Sequence, residues 1–290
     1  MVGPDVVADR RNDLVVGIAL PHVAALARHL PGHRGGLSSL QMATTTVQLC
    51  GRFAVELDGR RVEQSLPGKQ GRLLFAFLAL NRHRPVPRSQ LVEAVWSSAL
   101  PRDPSEALAA LLSKVRAGLG GDYIVGRSEL TIALPADAVV DVERAFKAVH
   151  EAESACARGD WPRAWSAALE SQLVARRRLL QELEAGWIDE WRRSLDDVRL
   201  RGLECYAEAC LGIGGAELPA AERAARELVQ AAPLRESGYG LLMRALEARG
   251  NAAEALVVYE SARERLREEL GTSPAEALQS IHRRLLGAGG

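Results

Sequence analysis

The chain has 290 residues, 47% apolar and 26% charged, with only 4% aromatic residues and a formal net charge of zero. That composition excludes a disordered chain and gives room for two ordinary domains. Balanced charge excludes a strongly basic protein that would bind nucleic acid along its whole length.

Charge is unevenly spread. Residues 46–140 carry 12 Lys and Arg against 9 Asp and Glu, and residues 141–290 carry 21 against 25. Residues 1–45 read as a poorly ordered extension. Leu14–Leu30 is apolar but holds Pro21, His22 and Arg28, and it is too short to span a bilayer. Arg10 and Arg11 precede it, yet no small-x-small cleavage site follows. Met42 directly precedes the first strand pattern and is a candidate start.

From Val47 the pattern changes. Val47-Gln-Leu-Cys-Gly and Arg52-Phe-Ala-Val-Glu-Leu alternate apolar and polar residues, as half-buried strands do. Asp58-Gly59 predicts a hairpin turn, and Arg60-Arg-Val-Glu-Gln predicts a third strand. Lys69–Asn81 carries an apolar stripe of Leu73, Leu74, Phe77, Leu78 and Leu80 at helical spacing. His83, at its end, is placed to meet free helix carbonyls. Ser89–Trp96 predicts a second helix, and a Pro-containing turn follows. Pro104 opens a third helix, which Gly120-Gly121 ends. Tyr123-Ile-Val and Leu130-Thr-Ile-Ala-Leu predict two strands joined at Gly126-Arg-Ser-Glu. Three strands, three helices and a terminal hairpin is the order of a winged helix-turn-helix of the response-regulator type.

After Asp141 no strand pattern remains. Helices are predicted over 142–158, 162–182, 186–212, 217–231, 234–248, 252–269 and 274–286. Ala157-Arg-Gly-Asp-Trp-Pro-Arg-Ala164 resembles Ala248-Arg-Gly-Asn-Ala-Ala-Glu-Ala255, 91 residues later. In both, Gly suits a left-handed helix C-cap, Asp or Asn can cap the next helix, and the later Ala lets the two helices of a hairpin approach closely. The fold class is therefore mainly α with a small β component. It has an N-terminal winged helix over 46–140 and a C-terminal tetratricopeptide-like helical domain over 141–290. Stacked helix hairpins give a curved surface for protein partners.

Other chemistry is sparse. There is no nucleophile elbow, phosphate loop, dinucleotide fingerprint or HExxH motif, so no catalytic residue, cofactor or metal is assigned. Gly212-Ile-Gly-Gly reads as a helix stop. Cys50, Cys156, Cys205 and Cys210 lack metal spacing and read as reduced, buried thiols. Trp161, Trp165, Trp187 and Trp191 read as helix-packing anchors. About 45 residues before the winged helix are too few for a phosphorylated receiver domain.

In the winged helix the pieces Lys69-Gln-Gly-Arg-Leu-Leu74, Leu91-Val-Glu-Ala-Val-Trp96 and Val115-Arg-Ala-Gly-Leu-Gly120 stand in a recognisable order. So do Asp141-Val-Glu-Arg-Ala-Phe146, Pro233-Leu-Arg-Glu236 and Leu242-Met-Arg-Ala-Leu246 in the helical domain. The most specific run is Tyr259-Glu-Ser-Ala-Arg-Glu-Arg-Leu-Arg-Glu-Glu-Leu-Gly-Thr-Ser-Pro274. Over residues 47–286 the chain resembles the Streptomyces antibiotic regulatory protein family, in which a winged helix is joined to a bacterial transcriptional activation domain. The resemblance implies a cytoplasmic, nucleoid-associated activator. Such a protein binds direct repeats in promoter DNA, recruits RNA polymerase holoenzyme and switches on secondary-metabolite (antibiotic biosynthesis) genes. It allows a homodimer and implies no membrane. It also makes helix three the recognition helix.

The physical reading agrees. Placing Leu108, Leu112, Val115 and Leu119 in the core leaves Ala109, Ala110, Ser113, Lys114 and Arg116 toward double-stranded DNA. Arg127, at the hairpin tip, is placed to enter a neighbouring minor groove, while Glu106 and Glu129 would repel phosphates. The alternative is a protein-interaction adaptor whose winged helix no longer binds DNA specifically.

Overall fold

The fold is given by a computed structural model that describes residues 45–97 and 99–287. The expected extension, with Leu14–Leu30 and Met42, lies outside the described residues. The chain divides into two compact units. The first runs to Lys147 and takes in Arg177–Leu195; the second is Ala148–Arg176 with the chain from Asp196 onward.

In the first unit β1 (Thr46–Gln48), β2 (Ala54–Leu57) and β3 (Arg60–Arg61) form an antiparallel meander, with Val47 opposite Val55 and Glu56 opposite Arg61. Asp58 and Gly59 both have positive φ, 49° and 76°, as the predicted two-residue hairpin turn requires. Helices α1 (Gly68–Leu80), α2 (Arg88–Val95) and α3 (Pro104–Leu119) follow, then the hairpin of β5 (Ile124–Val125) and β6 (Glu129–Ile132). Leu74, Leu78, Leu91, Leu108, Leu112 and Leu130 fill the core, each 1% exposed or less. Each contributes roughly 1.5–3 kcal/mol by leaving water.

Two strands were not legible in the sequence. β4 (Val86–Pro87) pairs with β6, Val86 opposite Leu130, and gives a sheet of order β4-β6-β5. β7 (Val139–Val140) pairs parallel to β1 and completes the order β3-β2-β1-β7. Two residues carry no alternation to read. The third strand is shorter than predicted, because after Arg61 the chain turns at Val62 and Ser65 N–H donates to Val62.

Helix α4 (Asp141–Ala157) begins on a carboxylate that reaches back along the chain. Asp141 accepts N–H bonds from Val142 at 2.8 Å, Cys50 at 2.8 Å and Leu49 at 3.0 Å. Burial raises its carboxyl above the ordinary range, against the pull of those donors. His83 does not meet helix carbonyls as expected. Its Nε2 lies 3.1 Å from Glu143, a carboxylate that also receives two bonds from Arg82.

Helix α5 (Trp161–Ala175) corrects the predicted 162–182. The run past Ala175 has good helix formers and no Gly or Pro before Gly186, so propensity alone continues the helix. Tertiary pairing wins instead: Leu180 N–H donates to Leu49 at 2.8 Å, and Gly51 N–H donates to Arg178 at 2.9 Å. Leu179 and Leu180 are buried there, Leu180 with a φ of 45°.

The second unit holds the end of α4, then α5 and the later part of α6 (Gly186–Ile213). A 3₁₀ turn at Gly215–Glu217 leads into α7 (Leu218–Ala231), α8 (Glu236–Ala248), α9 (Ala252–Leu270) and α10 (Glu276–Gly287). Its largest core joins Leu203, Leu228, Tyr239, Leu242, Leu246 and Leu278. The repeated turns take left-handed glycines, Gly159 at φ 69° and Gly250 at 80°. Ala164 and Ala255 are fully buried. The two turns differ at the cap: Asp160 accepts from Arg163 N–H, while the Asn251 side chain makes no cap bond. The tryptophans pack between helices. The Trp161 ring lies where a Gly212 side chain would be, and Trp165 lies 6.0 Å from Tyr206.

Candidate nucleic-acid interface

Helix α3 has both ends set by local chemistry. Asp103 accepts the Glu106 N–H at 2.9 Å, Pro104 takes the first turn where no N–H is needed, and Gly120 ends the helix at φ 71°. Leu108, Leu111, Leu112, Val115 and Leu119 are buried. Gly118 backs closely onto the 62–66 turn: a Cβ there would stand 2.4 Å from the Ser65 carbonyl oxygen. The opposite face is therefore the free one.

Ala109, Ala110, Ser113, Lys114 and Arg116 all lie exposed on that face. At about 100° per residue the order around the helix is Arg116, Ala109, Ser113, Ala110, Lys114. The two cations thus stand about 160° apart, at the two edges of a strip of small side chains. Glu106 and Ala117 also fall in the strip, and both are exposed. Such a strip lets the helix approach a partner surface closely, with positive charge at either margin.

The wing is built on one glycine. Gly126 has φ +99°, and a Cβ there would meet the Glu129 carbonyl oxygen at 2.0 Å. This turn carries Arg127 exposed at the tip. The Ser128 carbonyl accepts the Arg88 N–H at 3.3 Å, so the tip is tied to the start of α2. Arg116 donates from Nε to the Ile124 carbonyl at 3.2 Å. One of its five N–H donors is thereby spent on the wing, which fixes the guanidinium beside β5.

Two further arginines belong to this region and were not found in the sequence. Arg88, half-buried, opens α2 beside the wing tip. Arg60 donates to the Leu119 carbonyl at the C-terminus of α3, where a cation also meets the negative end of the helix dipole. Tyr123 donates to Asp58 at 2.5 Å, which raises its phenol above the ordinary range and joins the β2–β3 turn to the start of β5. Only tertiary pairing brings these groups together. Among the described residues no cluster of His, Cys, Asp or Glu could hold a metal, and no helix is long and apolar enough to cross a membrane.

The sequence matches the family described as the bacterial transcriptional activator domain over residues 140–286. Regulatory protein AfsR of Streptomyces coelicolor is 32% identical over 248 residues, 80% of this chain and 23% of that protein. Transcriptional regulatory protein EmbR of Mycobacterium tuberculosis is 28% identical over 248 residues, 82% of this chain and 62% of its own length. Transcriptional regulatory protein MoaR1 of the same organism is 26% identical over 268 residues, 88% of this chain and 84% of that protein. The chain therefore spans under a quarter of its Streptomyces coelicolor relative. In structure it is similar to EmbR solved in complex with a low-affinity phosphopeptide. The TM-score is 0.74 at 22% identity, over 84% of this chain and 65% of that one. At that identity the likeness concerns the fold alone.

Proposed function

This chain belongs to the bacterial transcriptional activator domain family, in its Streptomyces antibiotic regulatory protein group, and we propose that it is a DNA-binding activator of transcription. In this reading residues 46–140 bind promoter DNA at direct repeats. Residues 141–290 bind RNA polymerase holoenzyme or a second copy of the chain. The protein works in the cytoplasm, at the nucleoid, on a cluster of biosynthetic genes.

The observation that carries the reading is the order of side chains around α3. A helix about 10–12 Å across fills a major groove about 12 Å wide. Its outer midline then faces base edges, and its two margins face the two phosphate backbones. Lys114 and Arg116 stand at those margins. Ala109, Ala110 and Ser113 stand between them, where an Ala methyl can meet a thymine methyl and Ser113 can donate or accept. Arg127 at the wing tip adds an accessory minor-groove contact.

A second reading, the interaction adaptor, draws on the same face. Its midline has no bidentate base reader and includes Glu106. A titration of labelled promoter duplex at several salt concentrations separates the two. Replacing Lys114 and Arg116 together by Ala is expected to lower affinity and flatten the log–log salt slope by roughly one to two units, since each phosphate contact contributes about −0.9. Glu106→Gln should raise affinity slightly, and Arg127→Ala should cost less than the double change. Circular dichroism reports the fold. A folded double variant that binds like the parent at every salt would remove α3 as the DNA-gripping element and favour the adaptor.

A further inference from the structure

A separate site lies within the helical unit. Residues of α4, α6, α8 and α10 line an open cavity of about 420 Å³, and its wall holds two of the four cysteines, Cys156 and Cys205. The Cys156 Sγ donates to the Cys205 carbonyl oxygen at 3.7 Å, which sets the two cysteines side by side. Both pack in one cluster with Ala152, Ala167, Ala168 and the half-buried Tyr206.

The four thiols differ in access and acidity. Cys50 and Cys210 are fully buried, and burial pushes both up, Cys210 to about 11. Cys205 is 7% exposed and is also pushed up, first by the neighbouring Cys156 thiol and then by burial. Cys156 is half-buried at the cavity wall, and the Cys205 thiol holds it below the ordinary range. Glu153 and Glu208 at the same wall oppose that shift. Each is engaged by an arginine: Arg201 meets Glu153 at 2.6 Å and Arg244 meets Glu208 at 2.8 Å. Thiol reactivity follows access as well as thiolate character, and Cys156 is the most accessible of the four.

We propose that Cys156 and Cys205 form an oxidation site for a hydroperoxide that enters this cavity. The Cys156 thiolate attacks the outer peroxide oxygen and the O–O bond breaks. The departing alkoxide or hydroxide takes a proton from solvent, which leaves Cys156 as a sulfenic acid. The Cys205 sulfur then attacks the Cys156 sulfur. The S–O bond breaks and water leaves with the Cys205 proton, so two thiols have given two electrons to the peroxide. For this bond to form, the side chains must rotate to bring the sulfurs to the bonding distance of about 2.05 Å. The resulting disulfide joins α4 to α6 at the edge of the cavity.

The test treats the reduced full-length chain with hydrogen peroxide, removes the peroxide, unfolds the protein in the presence of an alkylating agent, and maps peptides by mass. Cys156 and Cys205 should lose the label together and appear as one cross-linked peptide pair, while Cys50 and Cys210 keep theirs. In the Cys205→Ser variant, Cys156 should stop at the sulfenic acid and be captured by dimedone. In Cys156→Ser, Cys205 should stay alkylatable, with circular dichroism confirming that both variants fold. The proposal is overturned if all four cysteines of the parent stay alkylatable under peroxide that oxidises glutathione in the same tube. It is equally overturned if Cys156 is found only in disulfides between chains.

Discussion

Gly126 and Gly250 hold the same left-handed backbone with different room around it. At Gly250, φ is +80° and nothing stands within 4 Å of where a Cβ would be. At Gly126, φ is +99° and the Glu129 carbonyl oxygen would be 2.0 Å away. Gly250→Val therefore meets backbone strain alone, on the order of 1 kcal/mol or somewhat more for a β-branched side chain. Gly126→Ala must also open the wing turn, which disturbs the bond from Arg88 N–H to the Ser128 carbonyl. Thermal melts should show both variants destabilised. Promoter titration should show weakened binding only for Gly126→Ala, since Gly250 lies between α8 and α9, remote in sequence from the interface. A Gly126→Ala protein that melts and binds like the parent would contradict the wing as described.

Elements were legible wherever their ends carry a chemical signal. Pro104 and Gly120 bound α3 in the sequence as they do in the structure, where Asp103 adds the cap, and the turns at Gly159 and Gly250 were readable from the repeat of 157–164 at 248–255. The exposed strip on α3 followed from its 3.6-residue period. The overrun of α5 past Ala175 has the opposite cause: nothing local stops that helix, and the stop comes from pairing with residues 49–51. Arg60 and Arg88 were missed for the same reason, since their partners Leu119 and Ser128 are 59 and 40 residues away. Asp141 belongs to this class too. Its family-like motif was visible, but its reach back to β1 was not. Asp141→Ala removes the side-chain acceptor of the Leu49, Cys50 and Val142 N–H groups, so a loss of about 2–4 kcal/mol is expected in denaturant titration. Asp141→Asn keeps one carbonyl acceptor in place and should lose less. Equal losses in the two variants would mean that the acceptor oxygens do not hold β1.

At the scale of the whole molecule, the chain does not finish its first unit before starting its second. It leaves the first after Lys147, builds two helical stretches, and returns with Arg177–Leu195. The return at Arg177 has no linker composition and lies inside a continuous helical pattern, so it leaves no mark in the sequence. The returning segment is well joined. Trp187 donates from Nε1 to the Ala94 carbonyl at 3.0 Å, closing the C-terminal turn of α2, and its ring meets Phe77 of α1 edge-on at 5.1 Å. Trp191 meets Phe146 in the same way at 6.2 Å. Arg192 donates to the carbonyls of Leu179, Leu180 and Leu183, holding the irregular stretch before α6 in shape. The winged helix thus carries on its α1–α2 side an anchor from residues 93 positions further along the chain. Trp187→Ala should then act on the first unit, though it lies far in sequence from α3. The loss of a packed aromatic and of its hydrogen bond predicts about 3–5 kcal/mol of destabilisation. Trp187→Phe keeps the ring contact with Phe77 but not the bond to Ala94, and should cost about 1–2 kcal/mol. Native-state hydrogen exchange locates the effect: amides of α1 and α2 should lose protection in Trp187→Ala, while those of α8 and α9 keep it. If α8 and α9 lose protection equally and α1 and α2 do not lead, the returning segment belongs energetically to the helical unit and not to the first.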